Sequence, residues 1–128
     1  MRRLITLIFF VSLAAAIIAV PNESCAAPTQ EIVGVDKLMK HVDRYRGPVR
    51  VEGVVGAVAK TTLALIDTEE FRKCGVTTCA ALHLPVRWTG PMPQLQEVVR
   101  VEGEVVESAG KLIFHAQTLE KVTPQPTK

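Results

Sequence analysis

The chain has 128 residues, of which 48% are hydrophobic, and 15 Lys and Arg residues face 13 Asp and Glu residues. This length supports one small domain with a single core. The near balance of charge lacks the basic excess that a nonspecific nucleic-acid binder needs to neutralise phosphates. Aromatic residues that could stack on bases make up only 5% of the chain. The composition therefore argues against a nucleic-acid partner.

Residues 1–26 have the layout of a secretory signal peptide. Arg2 and Arg3 form a basic start, an apolar run covers 4–20, and small residues follow. We predict cleavage after Ala26, which makes the mature protein periplasmic or secreted. The alternative is an uncleaved anchor, because a run of this length is just long enough to span a bilayer. Membrane contact is expected only through this segment, and only if it is not removed.

The rest of the chain divides into three parts. Residues 27–34 are predicted to be a short polar lead-in, and residues 35–122 to be one domain. Residues 123–128 contain two prolines and are predicted to be a flexible tail.

The domain is predicted to open with a short amphipathic helix over 35–45. Leu38, Val42 and Tyr45 recur at helical spacing with charged residues between them, and a Gly-Pro pair follows. We expect this helix to plug one end of a sheet.

From residue 48 onward the apolar period changes to two, which predicts strands. The pentapeptide Val-Arg-Val-Glu-Gly occurs at 49–53 and again at 99–103. A glycine within a strand commonly marks a bend or bulge, so bends are expected at Gly53 and Gly103. The five predicted strands centre on Val49, Val51 and Val55; Leu63 and Leu65; Leu82, Leu84 and Val86; Val99, Val101 and Val105; and Leu112, Phe114 and Ala116.

Five short strands, one helix and a glycine inside a long first strand resemble the OB-fold, a partly open Greek-key barrel. The likeness covers 35–122. The run from Tyr45 to Val55 is similar to the opening of small exported bacterial OB-fold proteins, which are distantly similar to the anticodon-binding type. The predicted fold class is thus mainly β: a five-stranded OB-fold-like Greek-key barrel with an N-terminal amphipathic helix. One departure is the proline-rich segment 88–93, which stands where the family usually has a helix.

The resemblance implies that the first and fourth strands are neighbours. The two pentapeptides would then lie side by side, and Arg50 could pair with Glu102, or Glu52 with Arg100. Each such pair is worth a few tenths of a kcal/mol. The repeat is accordingly interpreted as two adjacent strands and not as a duplicated domain.

Two cysteines remain once Cys25 leaves with the signal peptide. Cys74 and Cys79 lie in the connection 67–80, whose first four residues, Asp-Thr-Glu-Glu, are typical of a capping box. In an exported protein this pair most often forms a local disulfide, which would stabilise the long loop by about 2 kcal/mol.

Two alternatives for these cysteines stay open. One is thiol-redox activity, although the spacing is Cys-x-x-x-x-Cys and not the Cys-x-x-Cys of thioredoxin-like sites. The other is a copper or zinc site made by Cys74, Cys79, His83 and His115, because thiolate and imidazole ligands suit these metals. Against the second, His83 alternates with two leucines and is expected on the outer side of its strand.

No common catalytic motif occurs in the sequence. The leading hypothesis is a non-enzymatic binding or accessory module without a cofactor, acting on an envelope protein or a small ligand. The OB-fold resemblance implies a binding face on the second and third strands and the adjoining loops. An oligonucleotide-binding domain is a further alternative, suggested by fold alone. The candidate ligand-binding residues are Lys60, Thr62, His83, Arg87 and Trp88.

Overall fold

The computed structural model describes residues 30–123, which form a mainly β structure. The predicted signal peptide, and residues 124–128 of the predicted tail, lie outside the described residues. In the described part of the chain there are two helices, α1 (Val35–Lys40) and α2 (Thr68–Cys74), with 3₁₀ turns at Val42–Arg44 and Thr77–Cys79. The strands are β1 (Ile32–Gly34), β2 (Pro48–Val58), β3 (Thr62–Ile66), β4 (Leu84–Arg87), β5 (Val98–Ser108) and β6 (Lys111–Lys121). Within residues 30–123, no helix has the length and apolar character that a bilayer span requires.

The strands form one sheet in the order β1-β2-β3-β4-β6-β5, and β5 also pairs with β2. Five strands therefore make a closed circuit of pairings, with β1 attached beside β2. The β1–β2 and β4–β6 pairs are parallel, and the others are antiparallel. This connectivity places the first and fourth predicted strands next to each other, as the resemblance implied.

The sixth strand, β1, was not predicted, since its residues were assigned to the lead-in 27–34. It pairs with residues 50–52 of β2, while the β2–β3 pairing begins only at Val54. β1 thereby supplies backbone partners to a stretch of β2 that β3 does not reach. A three-residue strand is too short to show a period in the sequence, and only the buried Val33 anchors it.

The two pentapeptides pair antiparallel, with Val51 opposite Val101 at the centre. This register sets each arginine opposite a glutamate. Arg50 Nη2 lies 2.9 Å from Glu102 Oε2, and Arg100 Nη2 lies 2.7 Å from Glu52 Oε2. The predicted cross-strand pairing is confirmed, and both pairs form. We call these four side chains the ion-pair ladder.

Of the bends expected at Gly53 and Gly103, only the second coincides with a shift in strand register. At Gly103 the β5–β6 register shifts, and a Cβ there would lie 1.9 Å from the carbonyl oxygen of His115. In β2 the register shift falls at Gly56, between Val55 and Ala57, and not at Gly53. Gly53 instead allows the Ile66 carbonyl to approach: an added Cβ would lie 2.9 Å from that oxygen.

The main core lies inside the circuit of strands, and α1 covers one end of it. Val35 and Leu38 of α1 are fully buried and pack with the strand residues of that core. The predicted helix over 35–45 is shorter in the structure, because the chain leaves helical geometry at His41 and continues as a 3₁₀ turn. Val42 and Tyr45 are only half-buried, so little apolar burial favours a longer helix.

A second, smaller core lies outside the circuit, beneath α2. Val54, Ile66 and Ala80 are buried there against Phe71 of the helix. The Asp67 side chain caps α2 by accepting from Glu69 N–H at 2.9 Å. The carboxylate of Glu70 accepts from Ala81 N–H at 3.3 Å, so it links α2 to the segment that leads into β4.

The segment 88–97 contains neither helix nor strand, in agreement with its proline-rich sequence. The third predicted strand begins at Leu84 and not at Leu82, so His83 lies in the loop that precedes β4.

Candidate functional site

A row of polar residues crosses four strands on the outside of the sheet. Thr62 of β3 is the partner of Arg87 of β4, Arg87 is the partner of His115 of β6, and His115 is the partner of Glu104 of β5. Direct cross-strand partners project to the same side of a sheet. Their chain neighbours, Leu63, Val86 and Phe114, are fully buried, so the polar row faces outward.

An apolar row runs beside the polar row and is offset from it by two residues on each strand. Ala57 pairs with Ala64, Ala64 with Pro85, and Val106 with Ile113. Val106 remains 39% exposed. Ala57, Ala64 and Pro85 also line a shallow depression of about 180 Å³. We call the two rows together the two-row face.

The charged side chains of the two-row face are not engaged with each other. Six ion pairs occur within residues 30–123, and none of them includes Arg87 or Glu104. Lys60 is likewise absent from these pairs and lies exposed in the turn between β2 and β3. An arginine that makes no ion pair, next to partly exposed apolar side chains, is suited to contact a partner of complementary charge.

The structure brings together some of the residues proposed from the sequence. Thr62 and Arg87 are direct neighbours in the polar row, and Lys60 lies two residues before Thr62. His83 is exposed in the loop before β4, two residues ahead of Pro85. Along β3 and β4, Lys60 therefore lies beyond the polar row and His83 beyond the apolar row, on opposite sides of the two-row face.

Trp88 is placed differently from the other proposed ligand contacts. Its indole is half-buried against the main core, and Nε1 donates to the carbonyl of Pro91 at 3.0 Å. A Cβ on Gly90 would lie 2.3 Å from the ring, which shows how closely the backbone folds over it. Trp88 thus organises the segment after β4 and does not belong to the two-row face.

Cys74 and Cys79 form a disulfide, as predicted, with Cα atoms 6.3 Å apart. Both residues are exposed. In the described part of the chain, His, Cys, Asp and Glu residues do not gather in groups of three that could hold a metal ion. Because disulfide sulfurs are not thiolates, the copper or zinc site with His83 and His115 stays a prediction for the reduced protein.

The apolar row was not proposed from the sequence, although a signal for it is present. A half-buried strand alternates apolar and polar residues, but Val105-Val106 and 112–114 are unbroken apolar runs. The additional members of these runs, Val106 and Ile113, face outward. Breaks in the alternation are therefore the feature that marks this row.

No protein-family model matches the chain, and no curated protein matches it either. Among solved structures, the chain is similar to the telomere capping protein Ten1 from Saccharomyces pombe, with a TM-score of 0.51 and 16% identity over 77% of this chain and 86% of that one. It also matches the hypothetical protein YgiW from E. coli, with a TM-score of 0.46 and 13% identity over 73% and 90% of the two chains. The likeness to Ten1, together with the strand order, supports an OB-fold.

Proposed function

We propose that this protein is an exported, non-enzymatic OB-fold module that binds a protein of the cell envelope through the two-row face. In this proposal the closed circuit of five strands is the OB barrel, and β3 and β4 carry its binding surface, as is common in this fold. The chain would belong with small exported bacterial OB-fold proteins. The observation that carries the proposal is the partly exposed apolar row beside a polar row whose Arg87 makes no ion pair within residues 30–123.

The composition of the face favours a protein partner with an apolar segment flanked by acidic residues. Protein interfaces combine a central apolar patch with a polar rim, and arginine is enriched in them. Val106 and Ile113 would supply the apolar contact. Arg87 and Lys60 would pair with carboxylates of the partner and fix its orientation.

Two features support export. Residues 1–26 have the charge and hydropathy layout of a signal peptide. The exposed Cys74–Cys79 disulfide is of a kind that persists in oxidising compartments and is rare in the cytosol. Together they favour a mature protein in the periplasm or outside the cell.

The two-row face is less suited to single-stranded nucleic acid. Such sites stack bases on aromatic side chains along a basic groove. Of the described aromatic residues, Phe114 is fully buried and Trp88 is held by Pro91, while the face itself carries Ala64, Pro85 and Ile113 where stacking platforms would be needed.

Position-specific photocrosslinking in the native envelope tests the proposal. A benzophenone amino acid placed at Ala64 is expected to give one discrete protein adduct, whereas the same group at Thr118, which lies outward on the ladder side of β6, gives none. With the partner then purified, Arg87→Glu is expected to weaken its binding at least about tenfold.

Three results would overturn the proposal. Equal adducts at Ala64 and Thr118 would show nonspecific contact. An unchanged affinity of Arg87→Glu would remove the polar row from the interface. Micromolar, salt-dependent binding of a single-stranded oligonucleotide that Arg87→Glu abolishes would favour the nucleic-acid alternative.

A further inference from the structure

A cleft of about 330 Å³ lies beneath α2, away from the residues of the two-row face. Its floor is a row of three valines. Val54 of β2 is the cross-strand partner of Val98 of β5, and Val122 N–H donates to the Val98 carbonyl at 2.9 Å. Phe71 of α2 borders the cleft above this floor. The volume falls in the range of about 300–1,000 Å³ that small-molecule pockets occupy.

Among the described residues, two charged side chains border the cleft, and only one of them is paired within the fold. Glu52 stands at one border, but its carboxylate is held by Arg100 at 2.7 Å. Arg72 stands at another border, and it takes part in none of the ion pairs found between residues 30 and 123. Since Glu52 is neutralised by its partner, the charge left for an occupant is the guanidinium of Arg72.

We propose that this cleft binds a small amphipathic carboxylate. Its apolar body would lie on Val54, Val98 and Val122 and contact Phe71, and its carboxylate would pair with the Arg72 guanidinium, which matches carboxylate geometry in bidentate fashion. An alkyl or aryl chain with one anionic end satisfies both the apolar walls and the single available cation. The site is independent of the protein-binding face, with which it shares no residue.

The test uses three probes of equal chain length: octanoate, 1-octanol and octylammonium. Each probe is titrated into the isotope-labelled mature protein, and the amide chemical shifts are recorded. Octanoate is expected to give saturable shift changes at Val98, Val122 and Phe71. Octanol should bind about tenfold more weakly, because its hydroxyl carries no charge to pair with the guanidinium, and octylammonium more weakly still, because its charge is repelled.

Two neighbouring cations on α2 give a matched pair of variants. Arg72→Gln is expected to weaken octanoate binding about tenfold. Lys73→Gln removes the next charge along the helix, whose ammonium lies 3.9 Å from Glu69 and does not border the cleft, and it should leave octanoate binding unchanged.

Several outcomes would overturn the proposal. One is that octanoate changes the chemical shifts of amides outside the cleft. Another is that Arg72→Gln and Lys73→Gln weaken octanoate binding equally, which would show a general effect of charge. Amides of the cleft that respond to protein concentration and not to octanoate would show that a second copy of the chain covers it. None of these results bears on the crosslinking experiment at Ala64, so the two proposals fail separately.

Discussion

Two outward surfaces of the same sheet use their charged residues in opposite ways. On the ladder side, two ion pairs join β2 and β5, Arg50 with Glu102 and Arg100 with Glu52. On the two-row face, Arg87 and Glu104 lie in one row with His115 between them and neither belongs to an ion pair within residues 30–123. Similar residue types on one sheet therefore differ in how they pair because of register. Groups paired within the fold contribute to stability, and groups left unpaired are available to a partner.

Gly103 lies at the boundary of these two surfaces, and its replacement is expected to have the largest effect. An alanine Cβ would lie 1.9 Å from the His115 carbonyl oxygen, a backbone atom. The bulge between the ladder residue Glu102 and the face residue Glu104 must then change. We expect Gly103→Ala to lower the free energy of unfolding by about 3 kcal/mol, as for severe overpacking.

Gly56→Ala is the matched control, since it also sits at a register shift. There the nearest atom to an added Cβ is Cγ2 of the Ile66 side chain, at 3.1 Å, which can adjust. Urea unfolding should show a loss of about 1 kcal/mol or less for this variant. Equal losses at both positions would mean that the close backbone contact at Gly103 does not set the boundary.

The disulfide is expected to have the next largest effect, and it should be confined to one region. Cys74 and Cys79 are five positions apart, and closing so short a loop contributes about 2 kcal/mol. The double substitution Cys74→Ser and Cys79→Ser should lower the unfolding free energy by this amount. Hydrogen exchange should accelerate in α2, while the amides of β2 and β5 that pair in the ladder lose protection only through the global change.

Oxidised and reduced samples of the natural sequence provide the control for that measurement. Reduction should reproduce the behaviour of the double variant without any substitution. Unchanged exchange in α2 after reduction would show that the small core of Val54, Ile66 and Ala80 holds the helix by itself.

The ladder was predictable because it depends on a repeated pattern and on one pairing that the OB-fold resemblance implies. Once the pentapeptides lie antiparallel, the Arg-Glu pairs follow. Thr62 and Arg87 are outward cross-strand partners on two adjacent strands, and their role in ligand binding stays a prediction. The apolar row was missed because it also requires the parallel β4–β6 pairing, which joins distant parts of the chain, and because Val106 and Ile113 resemble core residues when only their composition is considered.

The positions of Trp88 and β1 could not be predicted from the sequence. The position of Trp88 depends on Gly90 and Pro91, which return the chain over the indole, and no periodicity encodes that contact. β1 has only three residues, too few to show an alternating pattern. It forms a strand because β2 offers it unpaired backbone groups. Both features are consequences of tertiary structure.

A pair of double-mutant cycles addresses the contrast between the two surfaces directly. Arg100→Gln and Glu52→Gln should show a coupling energy of about 0.3–1 kcal/mol, since both side chains are partly screened by solvent at 28% exposure. The corresponding cycle with Arg87→Gln and Glu104→Gln should show coupling near zero. Raising the salt concentration should reduce the first value and leave the second unchanged. Similar coupling in both cycles would remove the distinction between paired and available charges.

The smallest expected effect concerns Glu97, at the turn that leads into β5. The pKa of its carboxyl is lowered from the ordinary 4.5, first by the hydrogen bond from Gln94 N–H and then by the hydrogen bond from Lys121. A lowered pKa in the folded state means that Glu97 contributes stability above the ordinary value and loses it as the pH falls through the lowered value. The side chain is only half-buried and the pair with Lys121 is screened by solvent, so the contribution is small. Glu97→Gln should therefore flatten the acid limb of the stability profile slightly below pH 4.5, whereas Glu104→Gln on the two-row face, where no ion pair is lost, should not. An acid limb that is the same in Glu97→Gln and in the natural protein would show that the contacts with Gln94 and Lys121 do not contribute to stability in solution.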